Sequence, residues 1–139
     1  MKDYNLNLNI DGLSKIYNNE VITYINNITG KQPKSHEKNK FGEVFTPVEI
    51  IWHLLNKIEE QNKNIWSNPH LKCLEPSAGI GTWLVLLYYK FFEGLKKKIP
   101  NNKQRSNHII TKMLYAVEIN KQNCNEIHKI FKLINKDAK

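Results

Sequence analysis

The sequence predicts an α/β fold, and three observations support this prediction. Hydrophobic residues recur at helical spacing in four separate stretches, which predicts four helices. Two short apolar runs, residues 71–75 and 113–118, favour strands. After residue 41 these strands alternate with helices, so right-handed crossovers and a parallel sheet are expected.

The chain has 139 residues, the size of one ordinary domain. No apolar run approaches the ~20 residues of a membrane span, and no apolar signal core follows the first residues, so we expect a cytoplasmic protein without a membrane partner. Cys73 and Cys124 are too few for a disulfide framework or a zinc site. The net charge is +8, but only Arg105 among the 21 basic residues is an arginine. The many Lys and Asn residues are typical of an AT-rich coding sequence, so charge alone does not separate nucleic-acid binding from a solvated surface.

Residues 1–40 form the first predicted unit: a short arm, a helix over residues 13–28 and a polar, basic linker over residues 31–40. The apolar face of this helix comprises Leu13, Ile16, Tyr17, Val21, Tyr24, Ile25 and Ile28. The linker contains no large apolar side chain, so residues 41–139 are predicted to be a separate unit.

A capping box predicts the start of the next helix, with Thr46 as N-cap, Pro47 at the first helical position and Glu49 reaching back. The helix should end near Glu60. Its predicted inward face comprises Ile51, Leu54, Leu55 and Ile58.

The strand over residues 71–75 leads through a glycine-containing loop into a helix over residues 82–92, which is almost wholly apolar. Residues 99–108 are predicted to be a polar, basic loop, and residues 113–118 the second strand. Asn120 is the predicted N-cap of the last helix. The inward face of that helix comprises Cys124, Ile127, Ile130, Phe131 and Ile134.

The loop over residues 74–81 is the strongest candidate for a binding site. Small residues between a strand and a helix let a ligand approach the backbone, and open α/β sheets bind ligands at the carboxyl ends of their strands. Glu75 disfavours a pyrophosphate and suits a ligand ammonium group. Glu118, at the end of the second strand, can accept hydrogen bonds from both ribose hydroxyls. A ribose and an ammonium group together describe S-adenosylmethionine; the alternatives are a ligand-free turn for the loop and a helix-start acid for Glu118.

Three segments resemble motifs of N6-adenine DNA methyltransferases. The segment Leu-Glu-Pro-Ser-Ala-Gly-Ile-Gly-Thr-Trp-Leu, residues 74–84, resembles motif I, and Phe-Gly-Glu-Val-Phe-Thr-Pro, residues 41–47, resembles motif X. The segment Leu-Tyr-Ala-Val-Glu-Ile-Asn, residues 114–120, resembles motif II. The order X, I, II is that of the gamma group, which includes type I modification subunits and type IIG restriction–modification enzymes. The resemblance implies a partial Rossmann-like methyltransferase fold preceded by N-terminal helices.

The resemblance also implies roles at the methionine end of S-adenosylmethionine. Phe45, Thr46 and Pro47 would close over the cofactor, with Thr46 near the methionine carboxylate. Glu75 would lie near the ammonium group. Trp83 stands where the family often has Phe, and we interpret it as a core residue.

At the adenosine end, Glu118 would bind the ribose and Ile119 would pack on the adenine ring. The implied cofactor-binding residues of the loop itself are Pro76, Ala78, Gly79 and Gly81.

The family's catalytic motif, Asn/Asp-Pro-Pro-Tyr/Phe, does not occur in the sequence. Its only Asn-Pro pair, Asn68-Pro69, is followed by His70 and precedes motif I. We therefore assign no catalytic residue and expect a cofactor-binding portion, inactive alone, of an enzyme that acts on DNA, either a split half or a truncated product. Two parallel strands leave open edges, so we expect a second chain, self-association or marginal stability. The alternatives are a fragment of an RNA or protein methyltransferase and a non-enzymatic module that binds a methyltransferase.

Overall fold

The computed structural model of the chain describes residues 46–135, together with residue 27. The arm, helix and linker predicted within residues 1–40 lie outside the described residues, apart from Asn27, and so does Phe45. Within the described part the fold is mixed α/β, with four helices longer than one turn and one two-stranded parallel sheet. The elements in chain order are α1 (Val48–Gln61), a 3₁₀ turn (Ile65–Ser67), β1 (Cys73–Glu75), α2 (Thr82–Gly94), α3 (Asn102–His108), a π-helical turn (Ile109–Met113), β2 (Leu114–Ala116) and α4 (Lys121–Ile134).

The two strands pair in parallel, as predicted, with Leu74 opposite Tyr115 in the register. Each strand has three residues and is therefore shorter than predicted. Met113 belongs to the π-helical turn rather than to β2. The ladder nevertheless extends past the strand ends, because the Val117 N–H donates to the Glu75 carbonyl at 2.9 Å.

Helix α2 forms the centre of the core. It begins at Thr82, as predicted, and eight of its residues are buried. Phe91 meets the ring of Trp66 edge to face at 5.3 Å, and Tyr88 donates a hydrogen bond to Ser106 at 2.9 Å. The helix therefore packs against α1, the 3₁₀ turn and α3 at once, which explains its almost wholly apolar sequence.

The start of α1 differs from the prediction by one residue. Pro47, not Thr46, is the N-cap, and its ψ of 141° places it outside the helix. The Pro47 carbonyl accepts from the N–H groups of Ile50 and Ile51, and no side chain caps the helix. Proline fixes φ but not ψ, so its presence alone does not distinguish the cap from the first helical position. The side chain of Glu49 lies outside the described part of the structure.

The inward face of α1 is narrower than predicted. Ile51 and Leu55 are fully buried, whereas Leu54 and Ile58 are exposed. Val48 completes the buried stripe. Burial depends on where α2 contacts α1, and hydrophobic spacing alone does not give that position.

The segment predicted to be a basic loop contains α3. Asn101 caps this helix by accepting from the Gln104 N–H at 3.0 Å. Arg105 is only 1% exposed, so this residue of the predicted basic loop is not a surface residue. Its guanidinium lies over the Phe92 ring, 4.1 Å from the centroid, and donates to the Ile99 carbonyl at 2.7 Å.

Helix α4 begins as predicted. The Asn120 side chain accepts from the Gln122 N–H at 3.0 Å, which confirms it as the N-cap. Ile130 is fully buried, while the other predicted inward residues are half-buried: Cys124, Ile127, Phe131 and Ile134.

Candidate functional site

A cavity of about 280 Å³ lies at the carboxyl end of β1. It is formed by Thr46, the first turn of α1, the end of β1, the loop between β1 and α2, and the first turn of α2. Its lining residues are Thr46, Ile51, Glu75, Ser77, Ala78, Gly79, Ile80, Thr82 and Trp83. The fold therefore brings Thr46, from the segment that resembles motif X, into one cavity with residues of the segment that resembles motif I.

Glu75 supplies the carboxylate of this cavity. It is the last residue of β1 and is half-buried. Its Oε1 accepts a hydrogen bond from the Ser77 N–H at 3.2 Å, which restrains the side chain. The other carboxylate oxygen has no protein partner within residues 46–135 and is available to a ligand.

The start of α2 supplies partial positive charge, opposite in sign to the Glu75 carboxylate. The first N–H groups of a helix have no intrahelical partner, and the N-terminus carries a partial positive charge. Thr82 is buried and lines the cavity with the exposed Ser77, so two hydroxyl groups accompany this helix terminus. The cavity thus offers a carboxylate together with donors that suit a carboxylate of the ligand.

Two glycines of the loop have positive φ angles, 53° at Gly79 and 88° at Gly81. Gly79 lines the cavity, whereas Gly81 does not. A Cβ added to Gly81 would lie 2.9 Å from Cγ1 of Ile127. Gly81 therefore serves the packing of the loop against α4, and the structure gives it no direct place in the cavity.

The predicted adenosine-binding residues lie next to the loop but outside the cavity. Val117 joins the two regions, because its carbonyl accepts from the Ala78 N–H at 3.0 Å. Glu118 is half-buried and accepts from the Asn120 N–H at 2.7 Å. Ile119 is 84% exposed. Both residues follow β2 and stand at the carboxyl edge of the sheet, beside the end of β1.

The two prolines of the predicted site, Pro47 and Pro76, are exposed and do not line the cavity. Sequence reasoning missed five of the lining residues: Ile51, Ser77, Ile80, Thr82 and Trp83. Four of these, Ser77, Ile80, Thr82 and Trp83, lie within the segment that resembles motif I, so the motif itself could have indicated them. Ile51 follows Pro47 by one helical turn, which a helix starting beside the loop would place near the same site.

Other functional features are absent from the described residues. No group of three His, Cys, Asp or Glu side chains within residues 46–135 is arranged to hold a metal ion. None of the described helices has the length and apolar character needed to cross a membrane.

A second cavity, of about 230 Å³, lies between β2 and α4 and is mainly apolar.

The chain is similar to a protein of Mycoplasma pneumoniae (strain ATCC 29342 / M129) described as an uncharacterized adenine-specific methylase. The two are 38% identical over 79 residues. The matched region covers 57% of this chain and 19% of the relative, so the chain spans about a fifth of that protein's length. No family model and no solved structure matches the chain. The similarity supports a methyltransferase, and the mixed α/β fold is compatible with part of a Rossmann-like domain.

Proposed function

We propose that this chain is the S-adenosylmethionine-binding part of an adenine-specific DNA methyltransferase of the gamma group, from a restriction–modification system. The observation that carries the proposal is the cavity that unites Thr46, Glu75 and the glycine loop at the end of β1. The similarity to an adenine-specific methylase supports the same reading.

The donor set of the cavity fits the methionine end of S-adenosylmethionine. The free oxygen of Glu75 suits an ammonium group, and the start of α2 with the hydroxyls of Thr46 and Thr82 suits a carboxylate. The volume of about 280 Å³ is just below the ~300–1,000 Å³ of pockets that enclose a whole small ligand. We therefore place only the methionine end inside the cavity.

The adenosine end would extend along the carboxyl edge of the sheet towards β2. The second carboxylate oxygen of Glu118 has no partner in the described part of the chain and would accept hydrogen bonds from the ribose hydroxyls. Ile119 exposes 84% of its surface beside it and would pack against the adenine ring. Contact with the base would remove this apolar side chain from water.

The bound cofactor supplies the methyl group that the complete enzyme transfers to an adenine amino nitrogen. The residues of this chain bind and orient the cofactor, and none of them is assigned to the target adenine. The Asn-Pro-Pro-aromatic loop, which holds an extruded adenine in the family, is not in the sequence. We propose that sequence outside these 139 residues provides that loop and the recognition of DNA.

We propose that further polypeptide packs on one face of the sheet. Leu74, Tyr115 and Val117 point to the same side of the sheet and are 63%, 43% and 56% exposed. Parallel sheets normally have both faces covered. A second copy of this chain would bring together two units of charge +8, so we favour a different chain over self-association.

Calorimetric titration of the 139-residue chain with S-adenosylmethionine tests the cofactor site. We expect binding, and we expect Glu75→Gln and Glu118→Gln each to weaken it by about tenfold or more, since each removes a charged acceptor. Glu93→Gln is the matched control, because Glu93 is exposed at the far end of α2. It should bind within about twofold of the wild-type chain.

A folded chain that does not bind S-adenosylmethionine would refute the proposal, as would a Glu75→Gln variant with unchanged affinity. Far-UV circular dichroism establishes folding in each case. Without binding, the exposed sheet face would favour a second function, that of a non-enzymatic module that associates with a methyltransferase through Leu74, Tyr115 and Val117.

A further inference from the structure

Trp83 occupies a position that sequence reasoning assigned to the core. It lies in the first turn of α2 and is half-buried. Trp83 packs against the hydrophobic core, and it also lines the cavity that contains Glu75 and Thr46. A residue buried on one side and open to a cavity on the other is held in place and remains accessible to a ligand.

The other two tryptophans, which also lie in the described residues, have different surroundings. Trp66 is buried against Phe91. Trp52 packs against Tyr89 at 5.8 Å between ring centroids. Neither of these two lines the cavity. A change in tryptophan fluorescence caused by a ligand in the cavity would therefore come from Trp83.

The cavity is lined by a tryptophan, Trp83, and by an acidic residue, Glu75. An aromatic ring attracts a cation through its quadrupole, and a carboxylate attracts it through its charge. The ring also supplies a rigid apolar surface. This combination suits a ligand that carries positive charge next to apolar groups, as the methionine end of S-adenosylmethionine does with its ammonium and sulfonium groups.

We propose that Trp83 is a cofactor-binding residue, an assignment that rests on the proposed function. Its ring forms the apolar wall of the cavity and contacts the methionine end of S-adenosylmethionine. Its position in the first turn of α2 is fixed by the core contacts of that helix. The wall is therefore formed before the ligand enters, and the ring loses little conformational freedom on binding.

Titration of the chain with S-adenosylmethionine, followed by fluorescence and by calorimetry, tests this assignment. The variants are Trp83→Phe, which keeps an aromatic wall but removes the indole signal, and Trp83→Ala, which removes the wall. Trp52→Phe is the control, since it removes a partly buried tryptophan from outside the cavity.

We expect the ligand to change the fluorescence of the wild-type chain and of Trp52→Phe, but not that of Trp83→Phe. Trp83→Ala should bind about tenfold more weakly, and Trp83→Phe within about threefold of wild type. A signal that persists in Trp83→Phe, or an unchanged affinity in a folded Trp83→Ala, would overturn the assignment while leaving the proposed function intact. A folded wild-type chain that does not bind the cofactor would overturn both.

Discussion

Replacing Gly81 by alanine should destabilise the fold, although motif resemblance would place its effect in cofactor binding. Gly81 has φ 88° and ψ 16°, a left-handed conformation that residues with a Cβ rarely adopt. The added Cβ would also lie 2.9 Å from Cγ1 of Ile127. Cγ1 is next to the branch point of that side chain, so α4 or the loop has to shift.

The cost follows from these two effects. The left-handed conformation costs about 1–2 kcal/mol for a residue with a Cβ, and overpacking typically costs about 1–3 kcal/mol. Alanine also restricts the unfolded chain, which offsets about 0.4–1 kcal/mol. We expect a net loss of about 2–4 kcal/mol in the free energy of unfolding, a large part of the ~5–15 kcal/mol of a typical domain.

Urea unfolding followed by far-UV circular dichroism measures this loss, and Gly79→Ala is the matched comparison. Gly79 also has a positive φ, 53°, but it lines the cavity. Gly79→Ala should lose only about 1–2 kcal/mol of stability and should weaken S-adenosylmethionine binding. The reasoning is refuted if Gly81→Ala unfolds at the same urea concentration as the wild type while its cofactor binding is lost.

Three further substitutions or treatments test the packing that supports the site. Arg105→Lys should lower the free energy of unfolding by about 3 kcal/mol, because one ammonium group cannot replace a buried guanidinium that stacks on Phe92; an unchanged melting temperature would contradict this. Gly94→Ala should destabilise by about 1–3 kcal/mol and alter the near-UV circular dichroism of Trp66, since the new Cβ would meet the Trp66 backbone. An unaltered near-UV spectrum would count against that contact. Burial raises the pKa of the Cys73 thiol, so folding favours the neutral form of this thiol. The stability that comes from keeping the thiol neutral is present below the usual thiol pKa, and it is lost as the pH rises through the raised pKa of the folded state. Iodoacetamide should therefore modify Cys73 more slowly in the folded chain than in urea, and equal rates by mass spectrometry would contradict this.

Within residues 46–135, the sequence predicts the helices that have hydrophobic periodicity and misses α3, which lacks it although Asn101 caps it. Helix α2 is almost wholly apolar and α4 has the Asn120 cap, and both begin at the predicted residue. Helix α3, Asn-Lys-Gln-Arg-Ser-Asn-His, contains no hydrophobic residue. It is anchored by Arg105, a charged side chain that is buried only because backbone carbonyls and Phe92 surround it. Such surroundings depend on the tertiary structure, so no local pattern indicates them.

Part of the candidate site also follows from the sequence. Thr46, Glu75, Ala78 and Gly79 converge on one cavity, as expected if strand ends and the following loop form a ligand site. The position of Trp83 at the cavity could not be predicted from the sequence. Helical spacing shows that a residue faces inward, but it does not show whether the inward side meets the core or a cavity.

The two acids of the proposed site are held by the same local arrangement. Glu75 accepts from the N–H of Ser77, and Glu118 accepts from the N–H of Asn120, in each case two residues further along the chain. Each acid therefore keeps one oxygen for a ligand. Because Val117 bonds to both ends of the loop region, at the Glu75 carbonyl and the Ala78 N–H, the strand ladder fixes the spacing of the two acids.

The contacts that orient the two acids of the proposed cofactor site are different from the contacts that the sheet needs for stability. The hydrogen bonds that orient Glu75 and Glu118 all lie within the two-stranded sheet and the turns that follow it. They require no further strand. The exposed Leu74 and Tyr115, in contrast, need a cover that the described residues do not provide. A partner that covers this face should raise the melting temperature of the chain by several degrees but change its affinity for S-adenosylmethionine little, because the partner would stabilise the sheet without contacting the two acids.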